Sequence, residues 1–260
     1  MCCPSATFVV WTSAWLHGAA AADDVLDASQ EWGELHEVVV ADQGTATALD
    51  LPTRDEPPAA LAMLLAALRQ YGASAGRIVL PVPGDVRGLD GKSEFAAEAI
   101  RVGDAAVFAG LGLVPDRVAD GVVRWTVYDL PVTPPQAPEP IGAADRELSE
   151  AMRAAAGTLA SLDVARDRPN VRAEIAERVA STGAWPAAMP QRSLRVLQRA
   201  NELAAILELA AEDEPGGAVS ASAALQRADA LRPLSDAVRA ARRAAVQEAV
   251  SVLTDHADRH

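Results

Sequence analysis

The chain is short of almost every residue that announces a chemistry. Its 260 residues include two cysteines, four histidines, 4% aromatics and a single lysine, Lys92. Cys2 and Cys3 are adjacent, so a bridge between them would be strained and could not tie distant segments together. The absence of further cysteines fits a reducing compartment. No CxxC pair, HExxH or GxGxxG occurs, so the spacings of zinc, metalloprotease and dinucleotide sites are missing, and neither cofactor nor metal is expected. His256 and His260 share i,i+4 spacing beside Asp255 and Asp258, but a fraying chain end is a poor metal scaffold. The longest apolar run, Ala59 to Leu68, is about half the ~20 residues of a membrane span. Phe8 to Leu16, followed by Ala19 to Ala22, imitates a secretory signal, but no Lys or Arg precedes it. A cytoplasmic location without membrane attachment is therefore expected.

What is present is aliphatic and acidic. Half the residues are hydrophobic, and with so few aromatics the core must be built from Ala, Leu and Val. Each buried Ala removes little apolar area from water, so closely packed helices are expected. The net charge is −13, concentrated in residues 1–140, which hold 8 basic against 19 acidic side chains. Such a surface repels phosphate backbones, which argues against nucleic acid. The seam is Pro131 to Pro140, carrying Pro131, Pro134, Pro135, Pro138 and Pro140, a stiff extended connector. It divides an α/β domain (1–130) from a helical bundle (141–260), with 131–140 as linker.

Before the seam, short β-branched runs alternate with helical patterns. Strands are expected at Thr7–Trp11, Glu37–Ala41, Arg77–Val82, Ala105–Ala109 and Val122–Asp129, with helices at Asp23–Trp32, Pro57–Tyr71 and Ser93–Val102. That order implies a mostly parallel sheet with a mixed edge. After the seam strand signals vanish. Helices are expected at Ala144–Leu162, Val171–Thr182, Gln191–Ala211, Ala221–Leu231 and Leu234–Ala257, with Pro233 separating the last two.

Three motifs carry possible chemistry. Gly72-Ala73-Ser74-Ala75-Gly76 matches G-x-S-x-G, but that motif needs a strand before the serine and a helix after it. Here a helix precedes and a strand follows, which makes Ser74 an ordinary loop residue. The loop 83–93 follows a strand and opens a helix, where backbone N–H groups attract anions. Gly84, Asp85, Arg87, Gly88, Gly91, Lys92 and Ser93 are the candidate ligand contacts, joined by Asp42 at the end of another strand. Gly91-Lys92-Ser93 repeats the end of a P-loop, but Val86 stands where the first glycine is required. The plainer account is a surface loop turned by its glycines, with Ser93 capping a helix. Arg192, Arg195 and Arg199, and then Arg239, Arg242 and Arg243, form basic groups on helices; with carboxylates nearby they read as solvated faces.

Leu80-Pro81-Val82-Pro83-Gly84-Asp85-Val86-Arg87-Gly88-Leu89, with Val123-Arg124-Trp125-Thr126-Val127 downstream, resembles uncharacterised proteins of high-GC actinobacteria. The resemblance implies a cytoplasmic bacterial protein and transfers no functional residue. Without a complete catalytic constellation, the expectation is a non-catalytic interaction or regulatory protein with a protein partner, and homo-oligomerisation is open to it. The alternative is an enzyme or sensor binding a small phosphate-bearing anion at 83–93.

Overall fold

The computed structural model describes residues 3–89, 92–131, 139–161, 171–180, 184–212 and 221–257. Most of the 131–140 seam and Gly91 lie outside these residues. The chain divides into two compact units. One comprises Cys3–Ala137, Gly183–Pro190 and Val246–His260; the other comprises Met1–Cys2, Pro138–Thr182 and Gln191–Ala245.

The first unit contains α1 (Pro4–Leu16), α2 (Ala22–Ser29), β1 (Leu35–Val40), α3 (Gln43–Leu49), β2 (Ala59–Ala60), α4 (Leu61–Gln70), β3 (Gly76–Val79), α5 (Glu94–Val102), β4 (Ala105–Phe108), β5 (Leu111–Ala119) and β6 (Val122–Asp129). Its six strands form one sheet in the order β2-β1-β6-β5-β4-β3. Only β1 and β6 run parallel; every other neighbouring pair is antiparallel. The mostly parallel sheet expected from the sequence is therefore incorrect. A helix between two strands was read as a crossover, but Val79 pairs with Ala105, so β4 begins beside the end of β3. The segment joining them, α5 included, therefore makes no net crossing of the sheet, and the two strands run antiparallel. β5 was missed as a strand because Gly112 and Pro115 interrupt its β-branched pattern.

The expected first strand, Thr7–Trp11, is also incorrect. It is the middle of α1, which has Pro4 in its first turn. Ten of its thirteen residues are buried, so the helix shows no polar face and its apolar run cannot be told from a strand by periodicity. Two of the buried hydroxyls of α1 accept hydrogen bonds from the surrounding unit. The Trp32 Nε1–H donates to Thr7 Oγ1 at 3.0 Å, and the Gly76 N–H donates to Ser13 Oγ at 3.1 Å. α1 lies on β3, β4 and β5, where Phe8 meets Phe108 edge-on at 5.9 Å and Trp125 at 4.8 Å between ring centroids.

Trp125, 1% exposed, links three elements. Its Nε1–H donates to His36 Nδ1 at 3.0 Å, and His36 Nε2 lies 2.8 Å from the Ser29 carbonyl oxygen. With Nδ1 accepting, the proton sits on Nε2 and is donated to Ser29. The imidazole is thus neutral, and burial lowers its pKa from 6.5.

The second unit contains α6 (Ile141–Ser161), α7 (Val171–Ala180), α8 (Gln191–Glu212) and most of α9 (Ala221–Ala257). Pro233 lies inside the single helix α9, which corrects the expected break there. The proline removes one backbone hydrogen bond, while buried Leu234, Ala237 and Val238 continue the packed face past it. The arginine groups, expected as solvated faces, instead supply three links between segments of this unit. Arg243, 4% exposed, reaches Glu139 at 2.8 Å. Arg199 reaches Asp145 at 3.2 Å, and Arg242 donates to Asn201 at 3.1 Å.

The His36 relay has a pH signature. The unfolded imidazole takes up a proton near pH 6.5, while the folded one resists because protonated Nδ1 would face the Trp125 N–H. Stability is full above 6.5, falls as the pH drops below it, and levels off once the folded imidazole titrates. Chemical denaturation between pH 7.5 and 4.5 will show this component, and His36→Gln will lack it. Trp125→Phe strands Nδ1 and will lower stability by about 1–3 kcal/mol.

Candidate functional site

The two faces of the sheet are covered unequally. On the face carrying Val79, Val107, Val114 and Tyr128, α5 packs Phe95 and Ala99 into a buried cluster. The fit depends on Gly112, where an added Cβ would come within 2.5 Å of the Phe95 ring. α5 thus covers the β3–β4–β5 side of this face. Alternation along β6 puts Arg124, Thr126 and Tyr128 on the same face, and register brings Glu37 and Val39 of β1 beside Arg124 and Thr126. Val39, Arg124, Thr126 and Tyr128 line a cavity of about 250 Å³ beside α5, with Glu98 and Arg101 on the helix side. Val118, 43% exposed, also lines it; Leu35, on the same face of β1 two residues before Glu37, is 52% exposed.

The groove is lined by opposite charges in alternation. Glu37 is the register partner of Arg124 and ion-pairs with it at 2.7 Å. Arg124 is in turn the register partner of Asp116 across β5–β6. Asp116 pairs with Arg101 of α5 at 2.5 Å, and Arg101 also holds Glu98 at 2.8 Å. Hydrogen bonds donated to Asp116 and Glu98 raise the Arg101 pKa further. At the other end Arg54 reaches Glu94 at 2.6 Å and donates to the Tyr128 hydroxyl at 2.8 Å. Its guanidinium carbon lies 5.5 Å from the Tyr128 ring centroid. Burial pushes the Tyr128 hydroxyl pKa up, against the pull of Arg54, so Tyr128 stays a protonated donor at neutral pH. The groove can therefore recognise a partner that presents both charge signs and hydrogen-bonding groups.

The residues singled out from the sequence have other roles in the structure. Pro83-Gly84 turns the chain, with Val82 and Asp85 exchanging backbone hydrogen bonds at 2.9 and 3.1 Å. Gly84 and Gly88 take φ of +90° and +86°, the region that favours glycine. Asp85 grips Arg87 with both oxygens, at 2.8 Å to Nε and 2.7 Å to Nη2. Ser93 Oγ accepts the Ala96 N–H at 3.1 Å as the N-cap of α5. Lys92 is exposed. Asp42 caps α3, accepting from the Thr45 N–H at 2.9 Å and the Thr45 hydroxyl at 2.7 Å. Those bonds lower its pKa. Ser74 lies between α4 and β3 and gives its carbonyl oxygen to His17 at 2.8 Å; no strand-to-helix elbow forms there. Among the described residues no cluster of three or more His, Cys, Asp or Glu could hold a metal, and no helix is long and apolar enough to cross a membrane.

The groove residues Glu37, Arg54, Arg101, Asp116 and Arg124 escaped the sequence reading because they meet only through strand register and the packing of α5 and residue 54 on the sheet. The one signal in the sequence was the alternation of Val122–Asp129, which assigns Arg124, Thr126 and Tyr128 to one face. Two substitutions separate architecture from surface. Gly112→Ala will displace Phe95 and lower stability by about 1–3 kcal/mol in urea denaturation. Arg124→Ala, which removes one exposed pair, will change stability by less than about 1 kcal/mol.

Comparison with known proteins identifies the lineage. Residues 5–140 match the model of the Rv1486c-like protein N-terminal domain, and residues 142–243 match that of its C-terminal domain. The chain is 36% identical over 281 residues to an uncharacterised protein of Mycobacterium tuberculosis (strain CDC 1551 / Oshkosh), covering 95% of this chain and 96% of the relative. It is 32% identical to an uncharacterised protein of Mycobacterium leprae (strain TN), covering 95% and 97%. An uncharacterised protein of Mycobacterium avium is 31% identical, again covering 95% and 97%. No solved structure matches. On the two family models and the near-complete coverage of these relatives, the chain belongs to the Rv1486c-like family of actinobacterial proteins.

Proposed function

We propose that the chain is a cytoplasmic, non-catalytic interaction protein whose contact surface is the uncovered side of the β5–β6–β1 face. One observation carries this reading. A sheet face that is elsewhere sealed by a helix is left open where it displays a register-fixed row of ion pairs beside exposed Leu35 and Val118. Buried aliphatic packing supplies stability, whereas exposed pairs contribute little of it. Charges arrayed across an open face act instead on the choice and orientation of a partner. The groove's carboxylates and guanidiniums are engaged with one another, which favours a polypeptide surface over a simple anion. The loop 83–93 supports an anion site less well, since Asp85 already neutralises Arg87.

The test is a photo-crosslinking amino acid placed at Thr126 in the full chain, expressed in a mycobacterium. A light-dependent polypeptide adduct is expected at 126 and not at the control position Met63, which is exposed on α4. Absence of an adduct at 126 overturns the reading. So does a thermal-shift response to phosphate or nucleotides that Lys92→Ala abolishes, which would move the function to 83–93.

A further inference from the structure

The cavity beside α5 is walled by ionised groups that pair with one another without exhausting their hydrogen-bonding capacity. Three guanidiniums, of Arg54, Arg101 and Arg124, and three carboxylates, of Glu94, Glu98 and Asp116, line it. Each guanidinium spends two of its five N–H groups on the contacts already described. Among the described residues, each carboxylate accepts at one oxygen: Asp116 at Oδ2, Glu98 at Oε2 and Glu94 at Oε1. Thr126 and Tyr128 add two hydroxyls to the wall. Tyr128 accepts from Arg54 and keeps its own proton to donate.

The wall thus presents donors and acceptors side by side, because the ion pairs hold Arg54 and Arg101 within 2.5 to 2.8 Å of their carboxylates. A hydroxyl group matches this pattern without breaking it. Its oxygen accepts from a spare guanidinium N–H, and its hydrogen goes to the open oxygen of the neighbouring carboxylate. A charged ligand fits less well. An anion must compete with the carboxylate already on each guanidinium, and with Glu37 behind Arg124 the carboxylates outnumber the guanidiniums four to three. A cation meets a guanidinium beside each carboxylate. Neighbouring hydroxyls on a carbon ring can each be held by charge-assisted bonds, while Val39, Val114 and Val118 give its C–H groups an apolar contact. Size sets the limit. At about 250 Å³ the cavity falls below the ~300–1,000 Å³ of pockets for drug-sized ligands, which suits one ring rather than an oligosaccharide or a nucleotide.

We propose that this cavity binds a small neutral polyhydroxylated molecule, a single sugar or cyclitol, held at its hydroxyls by the paired arginines and carboxylates. The inference goes beyond the polypeptide contact proposed above and does not depend on it.

Saturation-transfer-difference NMR on the full chain tests it. Glucose, galactose, mannose and myo-inositol serve as neutral probes, and succinate and putrescine as charged ones at equal concentration. At least one neutral probe should show saturation transfer, and the charged ones none. Glu98→Gln exchanges an acceptor for a donor beside Arg101, and Thr126→Val removes a hydroxyl while keeping its shape. Each should raise the dissociation constant of that probe about fivefold. Arg124→Ala, which costs the fold little, should do the same and keeps the test informative if either of the others impairs folding. Met63→Ala, on α4 and outside the cavity lining, should leave binding unchanged. No transfer to any of the four polyols, transfer to succinate or putrescine in their place, or undiminished binding in all three cavity variants would each overturn the proposal. The photo-crosslink at 126 reports on the polypeptide alone, so either reading can fail without the other.

Discussion

The hydrogen bond from Trp125 to His36 sits where the first unit is joined. Trp125 is on β6, His36 on the neighbouring β1, and the far nitrogen of His36 reaches the last residue of α2. Phe8 of the buried helix α1 packs on the same indole. A large aromatic ring with one polar atom can be enclosed only if that atom finds a partner, and His36 can serve only while neutral. Packing of the helical layer, the parallel strand pair and the protonation state of one imidazole are therefore a single constraint. The opposite face of the same strands inherits its geometry from it. The register that places His36 beside Trp125 on one side also places Glu37 beside Arg124 on the other.

This explains how a chain with so little chemistry in its composition can carry an ordered polar surface. The groove's side chains come from β1, the segment after it, α5, β5 and β6, and none is near another in sequence except within an element. Gly112 sets how far α5 can approach β5, and so how much of the face remains open. Arg101 and Arg54 hold the two ends of α5 to the sheet and to Tyr128. These links are exposed, so their contribution to stability is small. Their effect is to fix where charge is displayed.

Much of the local structure was legible in the sequence. The helix expected over Ser93–Val102 is α5, with Ser93 as its N-cap; the Glu37–Ala41 run and the alternating 122–129 segment were strands. What failed was whatever depended on partners. α1 is buried nearly all round, so its residues carry no helical stripe. The direction of β4 depended on its pairing with β3, a long-range contact, rather than on the helix between them. Pro233 was read as a break because proline opposes a helix interior, a local penalty that the packed face after it, at Leu234, Ala237 and Val238, offsets. The groove was invisible for the same reason: strand register is a long-range property, and residues such as Glu37 and Arg124 are 87 positions apart. The loop motifs, by contrast, were conspicuous in the sequence because glycine and proline stand out, although their observed work is turning and capping.

The lone parallel pair also bears on how the protein is made. β1 lies between a two-residue strand and β6, so most of its backbone must await residues 122–129. At ~5–20 residues per second, the ribosome takes roughly 4–17 seconds to bridge that interval. Throughout it the apolar run Val38-Val39-Val40 has no long strand to pair with, and the indole that will meet His36 has not been synthesised. Until then the nascent chain presents an adhesive edge, so the host must shield it or translate that stretch quickly. The pairing that makes the finished unit cohesive is the last one available to the growing chain.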